Sequence, residues 1–307
     1  MNNANDSQAL AQAIVQAHAQ RFGSASETQA ASFSSEDPVY RAAKAASLQL
    51  GFIDIDAEVL GRAWQAQTQR TGRFDATEWP ASPQDFGMKR FPLATRPDAF
   101  ASCPTNLGLY AVLPDAEWVG RCARAGVPTV QLRFKSTDRE AVEREVRASV
   151  DAVRGTDSLL FINDHWRIAI AAGAYGVHLG QEDMDALSAE ELHELRSSGV
   201  RLGVSTHGYA EMLRADAVSP SYIAMGAVFP TTLKKMATAP QGVARLDAYA
   251  RLTRGYPQVA IGGIDETRLA EVLATGVGSV AVVRAIVTAN DPEGTAARWQ
   301  AAISKKN

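Results

Sequence analysis

The sequence predicts an α/β protein with a parallel sheet, preceded by a segment of different character. Three observations carry this. From Leu107 onward, short runs rich in Val, Ile and Leu recur about every 20 to 30 residues, with helical patterns between them. The runs are apolar throughout, as in strands buried on both faces. Polar residues follow several of them at once, as in Leu159–Ile162 before Asn163 and Asp164, and Gly176–Leu179 before Gln181, Glu182 and Asp183.

Residues 1 to 36 are rich in Ala, Gln, Ser and Asn. A helix is expected from Ser7 to Arg21, ended near Gly23, with a Ser/Thr/Glu-rich linker after it. Asp37-Pro38 starts the next helix, with Asp as cap and Pro in the first turn. That helix carries Tyr40, Ala43, Ala46 and Leu48 and stops before Gly51. Another, from about Ala57 to Arg70, sets Val59, Leu60, Ala63 and Trp64 on one face. Pro80, Pro83, Pro92, Pro97 and Pro104 then forbid a long regular element and suggest an extended strap. This region holds no catalytic motif and reads as a small helical appendage. A chain beginning near Pro104 is accordingly expected to fold and stay active.

The strands are placed at Leu107–Leu113, Thr129–Leu132, Leu159–Ile162, Gly176–Leu179, Arg201–Val204, Tyr222–Met225, Gln258–Ile261 and Ser279–Val282. Helices between them show charged outer faces, as in Asp138–Val153 with Glu140, Arg144 and Arg147. Eight βα units of similar spacing favour closure into a TIM barrel over an open doubly wound sheet. The expected division is a mainly helical, Pro-rich extension over 1–104 and a (β/α)8 barrel over 105–307.

Composition narrows the class. Of 307 residues, 46% are hydrophobic, enough for a sizeable core, and the net charge of −3 exerts no pull on nucleic acid or anionic membrane. Cys103 and Cys122 lack metal-ligand spacing and suit a reducing compartment. No secretory signal or membrane-spanning run is visible. The expectation is a cytoplasmic protein with no nucleic-acid or membrane partner.

Such folds keep their chemistry just beyond the C-terminal ends of the strands. Gln131, Arg133 and Lys135 alternate after the second strand, and an Arg with a Lys there suggests a phosphate or diphosphate, against the plainer reading of a solvated edge. Asp164 and Asp183 could share one cation or merely cap the following helices. After the fifth strand come Ser205, Thr206 and His207. The stretch Phe229–Gly242, with Lys234 and Lys235, is long enough for a lid. Gly262 and Gly263, with the turn at Val283 and Arg284, match the place where this fold cradles a monophosphate. Two carboxylates plus phosphate oxygens would suit Mg²⁺. Two phosphate places imply two phosphorylated ligands, or one phosphorylated at both ends.

Gln131-Leu-Arg133-Phe-Lys135, Asn163-Asp164, Gly176-Val-His-Leu-Gly-Gln-Glu-Asp183, Gly203-Val-Ser205-Thr-His207, Phe229-Pro-Thr231 with Lys234, and Ile261-Gly-Gly-Ile264 together resemble the thiamine-phosphate synthase family over roughly 105 to 303. That family joins a hydroxymethylpyrimidine diphosphate to a thiazole phosphate, or its carboxylated form. The resemblance implies that Arg133, Lys135, Asn163 and Lys234 hold the diphosphate and that Asp164 and Asp183 hold Mg²⁺. Gln131 and Ser205 would contact the pyrimidine. Thr231, Gly263 and the backbone at Val283 and Arg284 would hold the thiazole phosphate. The catalytic part would fall to Arg133, Lys135, Ser205 and Lys234. His178 and His207 read as structural or supporting residues. Two positions depart from the family: Leu233 stands where a second lid threonine is usual, and Arg284 where serine is usual. A thiazole tautomerase-like relative would dispense with Arg133, Lys135, Asp164 and Asp183. A non-catalytic sensor of thiamine precursors would use the N-terminal helices as its output. The sequence is compatible with a homo-oligomer and does not fix the oligomeric state.

Overall fold

Eight short strands close into a parallel barrel in the computed structural model of the chain, which describes residues 3–25, 31–89, 96–231 and 239–305. Three helices come first: α1 (Asn3–Phe22), α2 (Pro38–Gln49) and α3 (Asp54–Thr71). The barrel begins with β1 (Gly108–Leu113), α4 (Ala116–Arg124), β2 (Thr129–Leu132), α5 (Arg139–Ala152), β3 (Leu159–Asn163) and α6 (Trp166–Ala172). It continues with β4 (Gly176–Leu179), α7 (Gln181–Ala186), α8 (Ala189–Ser197), β5 (Arg201–Thr206), α9 (Tyr209–Val218) and β6 (Tyr222–Met225). The last part holds α10 (Gly242–Leu252), β7 (Gln258–Ile261), α11 (Leu269–Ala274), β8 (Ser279–Val282), α12 (Arg284–Val287) and α13 (Pro292–Ser304). Each strand pairs in parallel with the next, and β8 closes on β1 through Gly108 opposite Ser279.

The expected strands are all present. Two run further than the sequence suggested: β3 includes Asn163, and β5 includes Ser205 and Thr206. Polar residues at a strand end read as terminators, but here the ladder continues, with Asn163 opposite His178 and Ser205 opposite Ala224. Gln181 to Asp183, expected as loop, opens the short helix α7.

The barrel interior is built around Tyr110, Val112, Phe161, Tyr222, Ala224, Val259 and Ala281. Two glycines make room for the rings. A Cβ at Gly176 would lie 2.4 Å from Cε1 of Phe161, and one at Gly203 would lie 2.1 Å from Cζ of Tyr222. Such distances cannot be relieved without moving a fully buried ring. Gly203→Ala is therefore expected to destabilise the protein by about 1–3 kcal/mol or more. A urea unfolding midpoint equal to wild type would show that the Tyr222 ring can shift freely.

The chain divides into two units, Met1–Ala94 with Gly208–Ala217, and Thr95–His207 with Val218–Asn307. The sequence reading set a single boundary at 104/105 and gave all barrel helices to the second part. Instead α9 belongs with the N-terminal helices. Within that first unit, Tyr209 stacks on Phe86 with ring centroids 5.3 Å apart and lies 6.0 Å from Phe52. Its hydroxyl accepts a hydrogen bond from Trp79 Nε1 at 2.9 Å. The buried Asp56 carboxylate accepts the Ala210 backbone N–H at 2.9 Å, and Asp216 accepts that of Lys89. A Cβ at Gly208 would meet Asp56 Oδ2 at 2.0 Å, so glycine lets the carboxylate reach the start of α9.

The same unit holds a buried cation. Lys44 Nζ lies 3.1 Å from Asp54 and 3.0 Å from Glu58. Burial opposes the charge on Glu58, but hydrogen bonds from Ser34, Tyr40 and Lys44 outweigh it and hold its pKa at about 2. A depressed carboxylate pKa stabilises the fold above the unfolded value and loses that contribution as pH falls through the folded one. Glu58→Gln should lower the urea midpoint at neutral pH. The deficit should shrink as pH drops from about 4.5 to about 2. A deficit independent of pH would remove ionised Glu58 from the account.

Candidate active site

The strand ends of the second unit carry a continuous polar network on inward-facing side chains. Gln131 on β2 is buried, and its Nε2 donates to Asn163 Oδ1 on β3 at 2.9 Å. Tyr110 on β1 donates its hydroxyl to Gln131 Oε1 at 2.9 Å. The Tyr110 and Tyr222 hydroxyls are 2.7 Å apart. Tyr222 reaches His178 Nδ1 at 2.7 Å, and His178 Nε2 lies 2.8 Å from Ser205 Oγ on β5. Three expected site residues, Gln131, Asn163 and Ser205, are thus joined through three that were not expected to contact ligand. His178, read from the sequence as a structural or supporting residue, is one of these three. Tyr110 and Tyr222 were not singled out. Burial raises both phenols well above the usual tyrosine range, so both remain protonated. The missed signal was chemical: a buried tyrosine hydroxyl requires a polar partner. Gln181 adds a brace, its Nε2 donating to the Ser205 carbonyl at 2.7 Å.

The charged groups follow the same strands along the chain. Arg133 follows β2, is half-buried, and is fixed by its backbone N–H to the Leu113 carbonyl at 2.8 Å. Lys135 is exposed. Asp164 is exposed and has φ of 63°, a conformation costly for a non-glycine residue. It is not a helix cap, since α6 has His165 at that position. Its backbone N–H is tied to the His178 carbonyl at 3.0 Å, and its carbonyl accepts from Trp166 N at 2.8 Å. Asp183 does act on a helix start, its Oδ2 accepting the Gly180 N–H at 3.1 Å. Burial lowers the pKa of His165, while the nearby Asp183 charge acts to raise it. The Asp183 carboxylate is therefore close enough to be felt by the residue next to Asp164.

On the other side, the segment after β6 is zipped to the end of β7. Val228 N donates to the Ile261 carbonyl at 3.0 Å and Phe229 N to that of Gly262 at 2.9 Å. Gly263 has φ of 64°, and a Cβ there would sit 2.5 Å from the Pro230 carbonyl oxygen. Arg268 locks this turn, with Nη1 on the Gly263 carbonyl at 3.0 Å and its guanidinium 4.4 Å from the Phe229 ring centre. Thr231 is half-buried beside the turn, Val283 packs against the barrel core, and Arg284 opens α12. Lys234, Lys235 and Leu233, with half of the expected lid, lie outside the described residues. The His207 carbonyl accepts from Gln241 Nε2. A cavity of about 340 Å³ between α11 and α13 is lined by Leu269, Leu273, Arg298 and Trp299 and includes none of the expected site residues.

With this geometry in view, the comparisons with known proteins are specific. The family model for thiamine monophosphate synthase matches residues 109–286. A thiamine-phosphate synthase of Neisseria meningitidis is 52% identical over 202 residues, 66% of this chain and 97% of that protein. One from Serratia proteamaculans is 48% identical over 206 residues, 67% of this chain and 92% of that protein. A solved thiamine phosphate pyrophosphorylase from Pyrococcus furiosus superposes with a TM-score of 0.57 at 26% identity, covering 66% of this chain and 98% of that one.

Proposed function

The chain belongs to the thiamine monophosphate synthase family, and from that premise we propose how its barrel works as a thiamine-phosphate synthase. It joins an aminopyrimidine bearing a diphosphooxymethyl group to a phosphorylated thiazole, or its carboxylated form, releasing diphosphate and, from the carboxylated form, CO₂ as well. The observation that carries this reading is the polar floor, where Gln131, Asn163 and Ser205 meet on one network inside the strand ends. Neutral donors and acceptors suit a heteroaromatic ring, and Arg133 and Lys135, which follow the same strand as Gln131, suit its diphosphate.

The bond between the methylene carbon and the diphosphate oxygen breaks first, and the oxygen keeps the electron pair. The amino-substituted ring supplies electron density to the methylene carbon. The thiazole nitrogen then donates its lone pair to form the new C–N bond. No protein nucleophile is needed. Arg133 and Lys135, with Lys234 and Asn163, receive the charge that develops on the leaving oxygens. Gln131 and Ser205 hold the ring so that the methylene faces the thiazole. Thr231 and the backbone of Gly263, Val283 and Arg284 hold the thiazole phosphate.

Asp164 and Asp183 fit a hard divalent ion. Among the described residues no group of three or more His, Cys, Asp or Glu side chains forms a metal cage. Mg²⁺ asks for less, taking one or two carboxylates together with substrate phosphates. When bound there, Mg²⁺ would neutralise charge on the leaving diphosphate. The proposed setting is the cytoplasm, with phosphorylated small molecules as ligands. No helix among the described residues is long and apolar enough to cross a membrane.

Incubation of the protein with both substrates and Mg²⁺ should give thiamine phosphate and diphosphate in equal amounts. Thiazole isomerisation without coupling would favour a tautomerase-like relative, and no chemistry at all would favour a sensor. Arg133→Ala should cut turnover by about 10²-fold, the effect typical of losing one group that stabilises developing charge. Unchanged turnover would take Arg133 out of the diphosphate site.

A further inference from the structure

We infer that Asn163, Gln131, Tyr110, Tyr222, His178 and Ser205 form a single hydrogen-bond wire with two concerted polarities, and that the aminopyrimidine diphosphate selects the one in which Ser205 accepts and Asn163 donates. This deepens the synthase reading and rests on it. Tyr110 and Tyr222 would then be positioning residues for the substrate.

Five links of 2.9, 2.9, 2.7, 2.7 and 2.8 Å join the six side chains, and the hydrogens available to them are few. A tyrosine or serine hydroxyl has one hydrogen, and a neutral imidazole carries one on its two nitrogens. Suppose Gln131 Nε2 donates to Asn163 Oδ1. Its Oε1 must then accept from Tyr110, whose only hydrogen is thereby used. The Tyr110 oxygen accepts from Tyr222. Tyr222 has no second hydrogen, so His178 Nδ1 carries the proton and donates to it. His178 Nε2 is left with a lone pair and takes the hydrogen of Ser205. Ser205 then meets a ligand as an acceptor, and Asn163 ends the wire with its Nδ2 donor.

Turning the Gln131 amide reverses every link. Tyr110 then donates to Tyr222, Tyr222 to His178 Nδ1, and His178 Nε2–H to Ser205, which faces a ligand as a donor. Mixed arrangements set two donors or two lone pairs against each other. At Tyr110 and Tyr222, which are 1% and 0% exposed, that loss has no solvent remedy.

The substrate asks the same polarity of both ends. Its ring amine is a donor that needs an accepting Ser205. Its diphosphate oxygens are acceptors that need the Asn163 amide N–H. A ring with a carbonyl in place of the amine would demand opposite polarities at the two ends. The wire thus makes diphosphate binding at one end help exclude the wrong ring at the other.

The test is binding by calorimetry with Mg²⁺ and no thiazole, so that no coupling occurs. Dissociation constants are compared for the amino substrate diphosphate and its 4-oxo counterpart, in wild type and in Tyr222→Phe. The wild-type preference for the amine should narrow by about tenfold in the variant, because His178 is freed to take either tautomer. Tyr110→Phe breaks the neighbouring link and should act the same way, which covers a Tyr222→Phe that fails to fold. In wild type with the amino substrate, ¹⁵N spectra should place the His178 proton on Nδ1. An unchanged preference in a folded variant, or a proton on Nε2, would overturn the wire. Failure of wild type to make thiamine phosphate would instead strike the synthase reading, leaving the His178 tautomer as a separate result.

Discussion

Asp183→Asn is expected to lower turnover by about 10²- to 10³-fold while leaving the melting temperature near that of wild type. The two halves of this result come from different atoms. Asp183 is half-exposed, and its Oδ2 accepts the Gly180 N–H at 3.1 Å. An asparagine keeps an oxygen for that bond, so α7 keeps its start. What it loses is the negative charge proposed to share the cation with Asp164. Alanine removes both, adding a cost of about 0.5–2 kcal/mol for the lost cap. Turnover of Asp183→Asn indistinguishable from wild type would remove Asp183 from the metal site and leave it as a helix cap alone.

Removal of residues 1–94 is expected to give a chain that aggregates or unfolds without cooperativity. This reverses the expectation drawn from the sequence, which treated the first hundred residues as dispensable. Such a chain still contains α9, but without the unit to which α9 belongs. Tyr209 would lose Phe52, Phe86 and the Trp79 donor, and the Ala210 N–H would lose Asp56. Large aromatic burial contributes roughly 1.5–3 kcal/mol per side chain, a large share of the net stability of a domain. The synthase relatives align over 97% and 92% of their own lengths with about two thirds of this chain. They have little length left for a comparable unit, so the family barrel as such does not require one. It is the face of this particular α9 that does. A soluble truncated chain with wild-type activity and a sharp thermal transition would show that α9 stands without those partners.

The repeat of the barrel was legible because each strand is buried on both faces and so reads as an unbroken apolar run. Helix starts at Asp37-Pro38 were legible for a local reason too: the Asp37 carboxylate accepts the Tyr40 N–H at 2.9 Å. The membership of α9 was not, because it depends on contacts such as Asp56 with Ala210, far apart in the chain. Gln131, Asn163 and Ser205 could be picked out as polar residues at strand ends. Tyr110 and Tyr222 were passed over, since inside an apolar run a tyrosine looks like any other core ring unless its hydroxyl is asked for a partner. The two readings of Asp164 and Asp183, ligand or cap, could not be separated by spacing. The structure gives Asp183 a capping bond and gives Asp164 a left-handed backbone one residue ahead of the N-cap of α6.

The account turns on whether acidic and basic groups from separate loops grip one diphosphate. A crystal structure with diphosphate and Mn²⁺ in place of Mg²⁺ tests this most directly. The expected result is a single Mn²⁺ bound by the Asp164 and Asp183 carboxylates and by diphosphate oxygens, with Arg133 and Lys234 on the remaining oxygens. Diphosphate bound elsewhere, or Mn²⁺ held without both aspartates, would contradict it.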